Sequence, residues 1–167
     1  MGLFDAFKIK MILKKIKSTS ESRVIKISPT NSYKSTLIIS DQVDESFNTY
    51  LATVFEKSKF TTLSNRKEKK DDSSANHYTY HISDLGFGNI KNDRLLNLLN
   101  TQFDLVIDIS IKTKELNYFV KNSKSSLKIG DLNASKNYLY DLLVDEIDSK
   151  TEFIDNIKRQ INILSQS

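Results

Sequence analysis

The 167-residue chain contains no cysteine and no tryptophan, and it has only one proline, four glycines and two histidines. Without cysteine it cannot form a disulfide, a thiolate metal site or a cysteine nucleophile. With so little proline and glycine it contains no collagen-like or linker-like segment. No apolar run approaches the roughly 18 residues that are needed to cross a bilayer. These absences are typical of a cytoplasmic protein.

What the chain does contain is 38% hydrophobic and 28% charged residues, the composition of a globular domain. Its formal net charge of +4 is unevenly distributed. Residues 1–34 hold eight basic and two acidic residues, so the remainder of the chain is mildly acidic. We therefore predict a basic helical arm and connector over 1–34 and an α/β domain over 35–167.

The arm has good helical propensity from residue 3 to residue 17. At helical periodicity, Phe4, Phe7 and Met11 fall on one side. Aliphatic residues fall on the opposite side, and these are Ile9, Ile12, Leu13 and Ile16. Between the two sides lie lysines, which are Lys8, Lys10, Lys14 and Lys15. We expect the aliphatic side to dock on the domain and the Phe4 side to face something else.

Several occupants are compatible with that second side. It could be packed by the protein itself or by a second copy of the chain, or it could contact a partner protein or an anionic membrane surface. Nucleic acid is disfavoured, because aromatic and basic residues do not interleave on a strand platform.

From Ser35 onward, strand patterns alternate with helical ones. The predicted strands are 35–40, 60–64, 77–83, 103–110, 126–131 and 138–146, and the predicted helices are 41–59, 94–102, 113–125 and 149–167. The leucines of 138–146 would also suit a helix. Alternation of this kind favours parallel pairing with right-handed crossovers. We predict a single Rossmann-like, doubly wound, mainly parallel sheet, with 103–110 (FDLVIDIS) near its centre and a basic N-terminal helix.

Four polar residues are predicted at the carboxyl ends of strands, where open α/β sheets bind ligands. They are Asp41, Asp108, Ser110 and Asp131. They could line an acidic crevice, or they could be helix caps and solvated strand ends. Asp104 lies about 13 Å from Asp108 along the strand, which is too far for a glycosidase acid pair, so it is expected to be structural.

Other chemistry is poorly represented in the sequence. The turn after the first strand has three carboxylates and no glycine, which disfavours a dinucleotide phosphate site. His77 and His81 would lie about 13 Å apart on one strand, too far to share a metal. We therefore predict no catalytic residue, no metal site and no cofactor.

Three segments resemble a known family. They are the turn DLGFGNIKND that begins at Asp84, the FDLVID strand at 103–108 and the KIG at 128–130. On these segments the chain resembles the DUF6913 family of small uncharacterised Bacteroidota proteins. The resemblance implies a fold and carries over no functional residue.

Our hypothesis is a non-enzymatic binding or accessory protein of the cytoplasm, either free or peripheral to the inner membrane. It would use the arm, together with the 84–90 turn, to contact a protein partner or the inner-membrane surface. One alternative is a small-molecule or metal-dependent enzyme that uses the strand-end acids. Another is a homodimer in which the arm is purely structural.

Overall fold

A computed structural model describes residues 3–16, 24–56, 58–67, 74–110, 113–133, 137–145 and 149–166. Within these ranges the helices are α1 (Leu3–Ile16), α2 (Glu45–Val54), α3 (Asp93–Asn100), α4 (Leu116–Asn122) and α5 (Lys150–Leu164). The strands are β1 (Ser35–Ser40), β2 (Lys59–Asn65), β3 (His77–Tyr80), β4 (Gln102–Asp108), β5 (Lys124–Asp131) and β6 (Leu142–Val144). No helix in these ranges is both long and apolar enough to cross a membrane.

All six strands are parallel, in the order β3-β2-β1-β4-β5-β6. This is the order of a doubly wound Rossmann fold, so the predicted fold class is confirmed. Strand β4 pairs with β1 at the centre of the sheet, with Ile38 opposite Ile107. The direction of winding reverses between these two strands.

Two apolar layers cover the sheet. Leu37 and Val106 lie in one layer, while Ile38 and Ile107 lie in the other. The first layer also contains residues of α1, α3 and α4, and the second contains residues of α2 and α5. Since both faces of the central strands are buried, their sequences are continuous apolar runs rather than alternating ones.

Short polar side chains fix where the helices begin and where the central strand enters the sheet. Asp44 caps α2, Asn92 caps α3 and Ser149 caps α5, each by accepting hydrogen bonds from backbone N–H groups of the first turn. Asp104 Oδ2 accepts from the N–H groups of Lys34 (2.7 Å) and Ser35 (3.1 Å). Asp104 therefore has the structural role expected of it.

Three predicted strands end earlier or are shorter than expected, and one of them is β4, which ends at Asp108 and not at Ser110. Strand β3 ends at Tyr80 and is followed by a 3₁₀ turn, Ile82–Asp84, which His81 caps. The prediction that His77 and His81 lie on one strand is therefore wrong. The last strand covers only Leu142–Val144, because the residues before it form another 3₁₀ turn, Asn137–Leu139, that buries Leu139.

Candidate functional site

Helix α1 docks on the domain through one side. Ile12 is completely buried in the layer that contains Leu37, Leu85 and Leu116, and Leu13 packs against that layer. Ile9 is partly buried, and the side chain of Ile16 lies outside the described residues. The predicted docking side is therefore confirmed for Ile12 and Leu13.

The opposite side of α1 faces solvent. Phe4 is 75% exposed and Phe7 is 52% exposed. Lys10 and Lys14 are exposed, and Met11 is partly buried. Lys8 Nζ lies 3.9 Å from the carboxylate of Asp5. The side chain of Lys15, which is also among the predicted contact residues, lies outside the described part of the chain.

A second segment contributes an aromatic ring to this side of the molecule. The rings of Phe7 and Phe87 meet edge to face, with centroids 5.8 Å apart and an interplanar angle of 61°. Phe87 nevertheless remains 56% exposed. We name Phe4, Phe7 and Phe87 the aromatic surface. Phe87 was predicted only as part of the 84–90 turn and was not singled out as a contact residue, although an aromatic residue between two glycines is a visible signal.

The loop that carries Phe87 has both of its ends in the core. Leu85 and Ile90 are buried and form an isolated antiparallel bridge. Just outside them, the N–H of Lys91 donates to the carbonyl of Asp84 over 2.7 Å. Phe87 therefore lies at the tip of a short hairpin-like loop whose base is fixed by packing.

Two glycines shape the tip of this loop. Gly88 has a φ of 86°, in the left-handed region that residues with a Cβ atom rarely adopt. A Cβ atom at Gly86 would lie only 2.1 Å from Asn89 Oδ1. Position 88 therefore requires glycine for the loop to hold Phe87 as it does, whereas a larger residue in place of Gly86 would displace the exposed side chains of Asn89 and Lys91.

A buried ion pair fixes the base of the same loop. Arg66 Nη2 donates to Asp84 Oδ2 over 2.8 Å, and both side chains are largely buried. The N–H of His81 donates to the same oxygen, while Arg66 Nη1 donates to the carbonyl of Thr79. The loop is thereby tied to the ends of β2 and β3.

Next to the aromatic surface, a groove of about 340 Å³ separates the N-terminal half of α1 from the sheet. Its lining includes Asp5 and Ile9 of α1 together with Tyr80, His81 and Glu115. The first turns of α1 therefore project beyond the apolar layer that holds Ile12.

A second candidate site lies at the carboxyl end of β4. Asp108 is buried, and its Oδ1 accepts hydrogen bonds from the N–H (2.9 Å) and the Oγ (2.5 Å) of Ser110. Its Oδ2 accepts from the hydroxyl of Tyr140 over 2.5 Å. Burial raises the pKa of Asp108 to about 6, the hydrogen bonds from Ser110 and Tyr140 oppose this, and the charge of Asp41 adds to it.

The other two predicted crevice acids bind backbone groups of nearby loops. Asp41 Oδ1 accepts from the N–H of Thr113, and Asp131 Oδ1 accepts from the N–H of Asn133, both over 2.9 Å. Burial raises the pKa of Tyr140, and the charge of Asp108, the hydrogen bond to Asp108 and the charge of Asp131 raise it further. Among the described residues, no three acidic or histidine side chains are grouped to hold a metal ion.

The residue that sequence reasoning missed at this site is Tyr140, which was predicted to lie within a strand. Its ring lies on Gly130, where an added Cβ atom would be 2.4 Å from Tyr140 Cε1. Glycine at the end of β5 thus makes room for the ring to reach Asp108.

A family model described as "Family of unknown function (DUF6913)" matches residues 7–164. The chain belongs to the DUF6913 family. The match includes the Phe87 loop, the central strand β4 and Gly130, which are the three segments that carried the resemblance in the sequence. Searches of curated proteins and of solved structures found no match to this DUF6913 chain.

Proposed function

We propose that this DUF6913 protein is a non-enzymatic binding protein that docks reversibly on the surface of a larger partner through its aromatic surface. The observation that carries the proposal is the contact between Phe7 and Phe87, which unites two distant segments while both rings remain more than half exposed. Contiguous exposed apolar groups of this kind mark interaction sites on soluble proteins.

The energetics favour a reversible attachment. Fully burying one exposed phenylalanine side chain contributes about 1.5–3 kcal/mol, and Phe7 and Phe87 contribute less because each is already about half buried. The loop that holds Phe87 is already fixed by Leu85, Ile90 and the Arg66–Asp84 pair, so little ordering entropy opposes its docking. The free energy gained by burying three such side chains is of the same order as the free-energy cost of association, about 4–15 kcal/mol. The docked state would therefore form and dissociate readily.

The enzyme alternative rests on Asp108, a buried carboxyl with a raised pKa beside the switch point of the sheet. Perturbed groups in such positions are candidates for catalysis. Here, however, both oxygens of Asp108 already accept hydrogen bonds from Ser110 and Tyr140, and Asp41 binds the backbone of Thr113. Carboxylates with such hydrogen bonds hold loops in place, so we rank the enzyme second.

The homodimer alternative uses the same aromatic surface with a second copy of the chain as its partner. It differs from the main proposal in one measurable respect. Substitutions in the aromatic surface would then convert the purified dimer into a monomer in solution and would not change the distribution of the protein in the cell.

The test compares tagged full-length variants in the native host. Phe4→Ser/Phe7→Ser and Phe87→Ser should release the protein from its membrane or large-complex fraction without lowering its melting temperature by more than a few degrees. Tyr138→Ser is the matched control, because Tyr138 is an exposed aromatic residue outside the aromatic surface. If the Phe variants lose stability while they keep every interaction, the aromatic surface is part of the fold and the proposal is wrong.

A further inference from the structure

The fully exposed charged groups around the aromatic surface are lysines. On the outer side of α1, Lys10 and Lys14 are exposed, whereas Lys8 is partly buried and lies 3.9 Å from Asp5. The acid of this helix, Asp5, is partly buried and lines the groove beneath.

The Phe87 loop continues this charge pattern. Lys91 is exposed, and its Cε lies 3.2 Å from the position that a Cβ atom on Gly86 would occupy, so the lysine stem lies along the loop. Residues 85–91 contain no acidic side chain. The aromatic surface is therefore flanked by cations from both of the segments that build it.

This composition discriminates between two kinds of partner. Protein interfaces are enriched in aromatic residues, phenylalanine included, and in arginine, but they are depleted in lysine, so the lysines are the discriminating feature. The surface here combines phenylalanine with lysine, the pair that serves interfacial helices on anionic lipids, where the rings enter the acyl boundary and the ammonium groups meet the headgroups. Lysine side chains also reach past an inserted ring, because their long stems let the charge stay in water.

The arrangement of α1 suits a flat surface. Its Ile12 side is held in the core, so its outer side is presented outward along the length of the helix, and Phe87 adds a third ring beside Phe7. Building on the proposed function, we infer that the surface on which the aromatic surface docks is an anionic lipid bilayer, with Phe4, Phe7 and Phe87 inserted and the exposed Lys10, Lys14 and Lys91 facing phosphate headgroups.

The test measures sedimentation of the purified full-length protein with vesicles. Vesicles of phosphatidylcholine with phosphatidylglycerol should bind it, vesicles of phosphatidylcholine alone should not, and added salt should weaken the binding. Phe4→Ser/Phe87→Ser should lower the affinity about a hundredfold. Lys10→Glu/Lys14→Glu should abolish the preference for the anionic vesicles, and Tyr138→Ser should leave binding unchanged.

Equal binding to both kinds of vesicle, or no binding to either, would overturn the inference. If the protein binds no vesicle but the Phe variants still lose a protein complex in the host, the partner is a protein and the proposed function stands without the lipid. If the Phe variants change neither vesicle binding nor behaviour in the host, the inference and the proposed function are both wrong.

Discussion

The hydroxyl group of Tyr140 donates a hydrogen bond to Asp108 Oδ2 over 2.5 Å and thereby joins the turn before β6 to the end of the central strand. The bond depends on Gly130, because any larger residue there would occupy the place of the tyrosine ring. The glycine of the KIG segment is therefore explained by packing, because the Tyr140 ring lies over β5 at this position.

Gly130→Ala should destabilise the protein by about 1–3 kcal/mol, because the added methyl group overlaps the Tyr140 ring. Replacing Tyr140 by Ala removes that overlap, so the double variant Gly130→Ala/Tyr140→Ala should cost clearly less than the sum of the single variants. Urea unfolding of the four proteins measures the coupling. Strictly additive free energies would mean that the two residues do not contact each other in solution.

The pH dependence of stability should carry a signature of Asp108. Its pKa is about 6 in the folded protein and near 3.9 in an unfolded chain, so between these values the folded state retains a proton that the unfolded state has released. The stability from this group is complete below about pH 4, falls as the pH rises through about 6, and changes by at most ~3 kcal/mol.

Asp108→Asn isolates that contribution, because the other carboxyl groups titrate in both proteins. The wild-type protein should lose stability relative to the variant as the pH rises from about 4 to about 7. A difference that stays constant across this range would contradict a raised pKa of Asp108 in the folded protein.

The Arg66–Asp84 pair should control how the Phe87 loop is held. Asp84→Ala leaves the buried guanidinium of Arg66 without this partner and should cost about 3–5 kcal/mol. Hydrogen exchange of the amides of residues 85–91 should accelerate more than that of β4. Asp93→Ala, which removes an exposed acid in the first turn of α3, is the control and should change stability by under about 0.5 kcal/mol. Unchanged exchange in the loop would show that the hairpin is held without the ion pair.

The two sides of α1 should differ in what they contribute to stability. Ile12→Ala leaves a cavity in the core and should cost about 2–5 kcal/mol in denaturant unfolding. Phe4→Ser should change the unfolding free energy by no more than about 0.5 kcal/mol, because Phe4 is mostly exposed. Similar losses for both variants would mean that the Phe4 side is also covered in the free protein.

The central features of the fold could be predicted because they depend on local patterns. The apolar run of β4 indicates burial on both faces, and the helical spacing of Ile12 and Leu13 indicates a docked helix. The end of β3 could not be predicted in the same way, since HYTYHIS keeps an alternating pattern past Tyr80. The 3₁₀ turn after it depends on Asp84, which binds Arg66 from another strand.

The candidate site was only partly predictable for a related reason. Phe4 and Phe7 belong to one helix, so periodicity alone puts them on one side. Phe87 joins them only because α1 and the 84–91 loop pack on the same apolar layer, and nothing local in either segment specifies this. Tyr140 likewise reaches Asp108 across β5, a neighbour relationship that exists only once the strand order is set.

The strands at the two edges of the sheet have a consequence for contacts between molecules. β3 covers four residues and β6 covers three, so each edge offers another chain only a few backbone groups for pairing. Such short edges disfavour the continuation of the sheet from one molecule into the next, which is a common route to aggregation. Any contact that this protein makes with another chain would therefore depend mainly on side chains of its helices and loops.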